Sequence, residues 1–171
     1  MSPDPFFQVV PHSIGQLESL SIQGTSWNME DITAHLSHPA PLLEDLSVDG
    51  SLECNGRPEL VPTLFNGDLS PLCRLYLEHV LTELPWRNMV NLTTFTLVDT
   101  PTSVRQLLNF FESAPNLCGV ELQDIFPTPG AENGWLVSLA CLKRMVVHGG
   151  PCSFLFDHLL IPAVEQTRGQ C

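Results

Sequence analysis

Cationic residues are scarce in this sequence. Lys143 is the only lysine, and Lys plus Arg total 7 against 19 Asp plus Glu, for a formal net charge of −12. Clustered cations neutralise nucleic-acid phosphates and draw chains to anionic membrane surfaces, so neither partner is expected. The acidic balance favours solubility and a basic or neutral partner, without naming one. Long apolar runs are missing too. The stretch FLFDHLLIPAV is broken by Asp157, His158 and Pro162 and is too short to span a bilayer. The opening residues MSPDPFFQVVPH hold no Lys or Arg ahead of an apolar run, so no signal peptide is read there. A cytoplasmic or nuclear location is expected.

Recognisable catalytic motifs are equally absent. There is no GxSxG elbow for a serine nucleophile and no GxxxxGK[ST] or GxGxxG loop to cradle phosphates. The carboxylates form no acid-pair motif of the kind glycoside hydrolysis uses. The 6 cysteines include no CxxC pair, so the usual zinc spacing is missing. Asp31, His35 and His38 fall at helical spacing, and His148 and Cys152 are four apart; both sets read as solvated polar positions rather than ligands. Cys73 and Cys118 occupy equivalent places two strands apart. Strands spaced about 4.8 Å put them roughly 10 Å apart, beyond the ~7 Å Cα separation a disulfide tolerates. Reduced thiols are expected, with the Asn91-Leu92-Thr93 sequon idle for the same reason. No enzyme activity, cofactor or metal is expected.

What the chain does contain is one pattern six times. Leucine, two residues, apolar, one residue, apolar begins at Leu17, Leu43, Leu72, Leu92, Leu117 and Leu142, in LESLSI, LEDLSV, LCRLYL, LTTFTL, LCGVEL and LKRMVV. Recurrence every 20 to 29 residues matches a leucine-rich repeat, with one short strand, a turn and a return segment per coil. The expected fold is an α/β, irregular leucine-rich-repeat solenoid. It forms a short horseshoe with a parallel sheet on its concave face and helices or loops on its convex face. Residues 1–171 are read as one such domain, with a degenerate or truncated repeat from about 161. Pro41, Pro71 and Pro115 stand just ahead of motifs and set extended entries.

The return segments are uneven. Val104, Leu107, Leu108 and Phe111 fall on one helical face, and Ser103 with Gln106 fits a capping box, so 103–115 is predicted as a helix. Residues 29–37, 59–66 and 153–160 are further helical candidates, and 126–134 is a loop. The ninth motif position, where an asparagine ladder is common, holds Thr25, Ser51, Val80, Thr100, Ile125 and Gly150. No such ladder is expected, and the coils should differ in curvature.

Positions three, five and seven of each motif point away from the core. They include Ser19, Ser21, Gln23, Asp45, Ser47, Asp49, Arg74, Tyr76, Glu78, Thr94, Thr96, Val98, Gly119, Glu121, Gln123, Arg144, Val146 and His148. As candidate partner-binding residues on the concave face we take Asp45, Asp49, Arg74, Tyr76, Glu78, Thr96, Glu121, Arg144 and His148. Tyr76 with Arg74 is the first choice of anchor, because aromatic and Arg side chains dominate interfaces.

Segments such as PLLEDLSVDG, LPWRNMVNLTTFTLVDT and LLNFFESAPNLCGVELQDI resemble the repeat region of fungal F-box leucine-rich-repeat proteins, over about residues 14–164. The resemblance implies a non-catalytic protein-binding module that recognises substrate proteins for a cullin–RING ubiquitin ligase. In that family an F-box binds a Skp-type adaptor. No F-box is read ahead of Leu17, so the adaptor is expected only if one lies outside this chain. The alternative reading is a truncated repeat fragment with no independent function. An unrecognised enzyme ranks last.

Overall fold

The computed structural model of the chain describes residues 14–24, 36–50, 59–60, 64–82, 89–128, 134–149 and 153–162. Its strands, in chain order, are β1 (Ser19–Gly24), β2 (Asp45–Gly50), β3 (Glu59–Leu60), β4 (Arg74–Glu78), β5 (Leu81–Thr82), β6 (Thr94–Val98), β7 (Gly119–Gln123), β8 (Val137–Ser138), β9 (Arg144–His148) and β10 (Leu159–Leu160). The six motif segments supply β1, β2, β4, β6, β7 and β9. These pair in that order into one all-parallel sheet. Shorter parallel pairs, β3 with β5 and β8 with β10, join return segments, as does a bridge between Ser103 and Thr128. The architecture is α/β, and helices are few among the described residues: α1 (Val104–Ser113) and the four-residue α2 (Ser153–Phe156). No helix of the described residues is long and apolar enough to cross a membrane.

Alternation along each motif explains the sheet. Leu46, Leu75, Phe95, Val120 and Met145 stand side by side across five strands, and Val48, Leu77, Leu97, Leu122 and Val147 form a second row. All are buried except Val147, which packs half-buried against the same core. A register slip of one residue would turn both rows to the opposite face, so burial locks the pairing.

The strands of the six-stranded sheet are entered through the same turn. The N–H groups of Leu43, Leu72, Leu92, Leu117 and Leu142 donate to carbonyls three residues back, those of Ala40, Leu69, Met89, Ala114 and Leu139. Just beyond each turn, one carbonyl accepts two successive N–H groups from the following strand's entry. Cys73 O takes Thr93 and Thr94, Thr93 O takes Cys118 and Gly119, and Cys118 O takes Lys143 and Arg144. Cys73 and Cys118 carry free thiols.

Asparagines also link neighbouring turns, at a place the ninth-position expectation missed. Asn91 Nδ2 donates to Ser70 O at 2.8 Å, and Asn116 Nδ2 to Val90 O at 2.7 Å. Both precede the motif leucine, where the entry turn brings the amide onto the preceding turn's carbonyl.

The exits are equally regular. His79, Asp99, Asp124 and Gly149 follow β4, β6, β7 and β9 with left-handed backbone, at φ of 53°, 37°, 52° and 67°. The N–H groups of His79, Asp99 and Asp124 donate to Val98, Gln123 and His148 carbonyls at 3.2, 2.9 and 2.8 Å. The chain thus turns out of the sheet while keeping one further inter-strand hydrogen bond. This backbone ladder takes the place of the side-chain ladder the sequence lacks at position nine.

Helix α1 matches its prediction. Ser103 Oγ accepts the Gln106 N–H at 3.2 Å, while Gln106 Oε1 accepts the Ser103 N–H at 2.8 Å. Val104, Leu107, Leu108, Phe110 and Phe111 are buried beneath it, each such burial contributing roughly 1.5–3 kcal/mol.

Two helical expectations are corrected. In 59–66, Glu59–Leu60 is strand, and Leu64–Gly67 is a short turn in which Phe65 and Asn66 are left-handed. Phe65 is fully buried and its N–H donates to Leu36 O at 2.7 Å, so core packing overrides the helical spacing. In 153–160, the helix stops at Phe156 because Leu159–Leu160 pairs with β8. The candidate helix at 29–37 lies outside the described residues except for Leu36 and Ser37.

Candidate functional site

The sheet's outward side chains fall in three straight rows, numbered three, five and seven after their motif positions. Position three runs Ser19, Asp45, Arg74, Thr94, Gly119, Arg144; position five runs Ser21, Ser47, Tyr76, Thr96, Glu121, Val146; position seven runs Gln23, Asp49, Glu78, Val98, Gln123, His148. The register therefore brings the nine candidate residues onto one face. That face is not uniformly solvated, since Val98 and Val146 are buried in it.

Opposite charges face each other along the first row. The Arg74 guanidinium donates from Nε and Nη2 to both carboxylate oxygens of Asp45 on β2. That contact holds Arg74 above its ordinary pKa range. Arg144 Nη1 approaches Glu121 Oε2 at 3.5 Å, from row three to row five. Arg74 and Tyr76, chosen from sequence as anchors, thus already hold partners within the face. The Tyr76 hydroxyl donates to Glu78 Oε2. Burial first, then that bond and the charges of Glu78, Asp49 and Glu121, push the Tyr76 pKa up to about 12. Thr96 lies beside Tyr76 and Glu121 in the middle row, while exposed His148 stands on edge strand β9, apart from the acidic end.

The densest cluster sits where β2 and β4 leave the sheet. Asp49 and Glu78 are neighbours in row seven, and His79 is the next residue after Glu78. His79 Nδ1 lies 3.6 Å from Asp49 Oδ1 and 3.7 Å from Glu78 Oε1, while its Nε2 lies 3.4 Å from Asp99 Oδ2. Gln23 Nε2 donates to Asp49 Oδ2 at 2.9 Å. Sequence reasoning on strand alternation missed His79 and Asp99, because at these two repeats position eight lies just past β4 and β6. The left-handed turn swings position eight back over row seven. A signal for it was present: the other residues at that position are Gly24, Gly50, Asp124 and Gly149, types that tolerate such a backbone.

Of the metal sets weighed from sequence, Asp31, His35 and Cys152 lie outside the described residues, while His38 and His148 are exposed. Comparison with protein families, with curated proteins and with solved structures finds no match to this chain.

Proposed function

We propose that the chain is a non-catalytic protein-interaction module, an irregular leucine-rich-repeat solenoid that binds a protein partner with its exposed sheet face. The register is the observation that carries this reading. Six parallel strands in motif order present three rows of non-core side chains, while recurring entry turns and exit ladders supply the regular backbone such a surface needs. The resemblance to F-box repeat regions adds the class of partner: a substrate protein destined for a cullin–RING ubiquitin ligase. A Skp-type adaptor would join only through an F-box outside this chain.

The test is a tagged pull-down from the cognate cell extract, read by mass spectrometry. The wild type runs beside the double variant Tyr76→Ala, Arg74→Ala and beside Arg105→Ala, an exposed position on α1. A protein bound by wild type and Arg105→Ala but held at least about tenfold more weakly by the double variant supports the reading. Equal recovery by all three removes the sheet face as the binding surface.

A further inference from the structure

We propose that Asp49, Glu78 and His79 form a binding site for one divalent transition-metal cation of the zinc class, held by Asp49 Oδ1, Glu78 Oε1 and His79 Nδ1. The proposal does not depend on the protein-interaction reading.

The distances come first. One ligand atom from each residue lies within 4.8 Å of the others. At 3.6 and 3.7 Å, Nδ1 is too far from either oxygen for a hydrogen bond. Two donors about 2.1 Å from a tetrahedral ion lie about 3.4 Å apart, so a shift of a few tenths of an ångström in each gap to Nδ1 would let the atoms share a metal. Nδ1 is itself buried and has no hydrogen-bond partner. A buried polar atom in that state costs stability until something satisfies it.

Each proposed ligand is also held from behind. The Gln23 amide occupies Asp49 Oδ2 and the Tyr76 hydroxyl occupies Glu78 Oε2, leaving Oδ1 and Oε1 turned toward the imidazole. Asp99 Oδ2 lies 3.4 Å from His79 Nε2, so the tautomer with its proton on Nε2 would face a carboxylate there and turn the Nδ1 lone pair to the two acids. This carboxylate–histidine arrangement is how proteins orient metal-bound imidazoles. The backbone contributes as well, since the left-handed turn at His79 places the ring over row seven.

Charge supplies the third argument. Two carboxylates stand side by side on adjacent strands, an arrangement that destabilises a sheet unless a cation intervenes. Among the described residues no Lys or Arg pairs with Asp49 or Glu78; Arg74 and Arg144 are engaged by Asp45 and Glu121. An imidazole nitrogen beside two carboxylates suits zinc better than calcium or magnesium, which take oxygen ligands. Three protein ligands leave a fourth position open.

The test is titration of the full chain with zinc chloride against a chromophoric chelator, repeated with cobalt(II). We expect one equivalent to bind, with a cobalt spectrum free of thiolate charge transfer. Asp49→Asn and His79→Asn should each weaken binding by well over tenfold, and Tyr76→Phe by about tenfold. Asn accepts the left-handed backbone at position 79. Asp49→Asn is isosteric, so one variant remains informative if the other fails to fold. A wild type that takes up no zinc overturns the proposal and leaves the cluster an ion-pair network. So does zinc bound equally well by folded Asp49→Asn or His79→Asn, which would place the ion elsewhere on the chain.

Discussion

The Tyr76 hydroxyl donates to Glu78 two residues further along the same strand, so the one aromatic in the outward rows is tied to the carboxylate beside His79. Tyr76 is the only tyrosine in the chain, which makes this contact readable without labels. Its pKa is raised from an ordinary 10.0 to about 12, with burial the larger cause and Glu78 the next. Titrating the tyrosinate absorbance should give a single midpoint near that raised value, and Glu78→Gln should bring it part of the way down. A midpoint at the ordinary value would mean that the hydroxyl is solvated.

The same shift carries a stability consequence with a defined sign. The folded state favours neutral tyrosine, so this contribution is fully present below the ordinary 10.0 and is lost as pH rises through about 12. Wild type should therefore lose stability over that window relative to Tyr76→Phe, whose side chain cannot ionise. Urea midpoints measured on both proteins across the window check it. Parallel curves would show that the hydroxyl does not titrate with folding.

Gly149 is the exit turn that favours glycine, through its backbone first and the neighbouring Asp124 side chain second. Its φ is +67°, and an added Cβ would come within 2.3 Å of Asp124 Oδ1. Gly149→Ala should destabilise the chain by about 1–3 kcal/mol, read as a lower thermal midpoint. Gly15 tests the reasoning from the other side. Nothing lies within 4 Å of a Cβ there and its φ is not positive, so Gly15→Ala should leave the midpoint nearly unchanged.

Much of this fold is legible in the sequence, for physical reasons that also mark where legibility ends. Leu75 and Leu77, or Phe95 and Leu97, announce a strand because alternation has a period of two, and the leucine spacing announces its recurrence. Ser103 and Gln106 announce α1 because capping is local. Phe65 misleads because its burial and its N–H bond to Leu36 are long-range, and local spacing cannot see them. The cluster of Asp49, Glu78 and His79 is hidden for the same reason. It draws on two motifs and on a position beyond the strand, and only parallel register with a left-handed turn brings the three together.

The cap of α1 offers a local test of that division. Ser103→Ala removes the acceptor for the Gln106 N–H at the helix start and should cost about 1 kcal/mol. Gln106→Ala removes the reciprocal bond to the Ser103 N–H, and the double variant should lose less than the sum of the two single losses because each bond positions the other side chain. Thermal unfolding of the two single variants and the double variant measures this directly. Full additivity would separate the two contacts.

One ring pair joins α1 to the sheet within the core. Phe95 from β6 and Phe110 from α1 lie with centroids 4.1 Å apart, both fully buried, and Phe111 meets Phe110 edge-on at 6.1 Å. Phe110→Ala should cost about 3–5 kcal/mol, because lost burial and the cavity left behind act together. Phe95→Ala should cost a similar amount. Since the rings touch, a double-mutant cycle should return a favourable coupling of about 0.5–1.5 kcal/mol. Denaturant unfolding of all four proteins measures it. Zero coupling would mean that the two rings stabilise the shared core through their burial alone and not through their contact with each other.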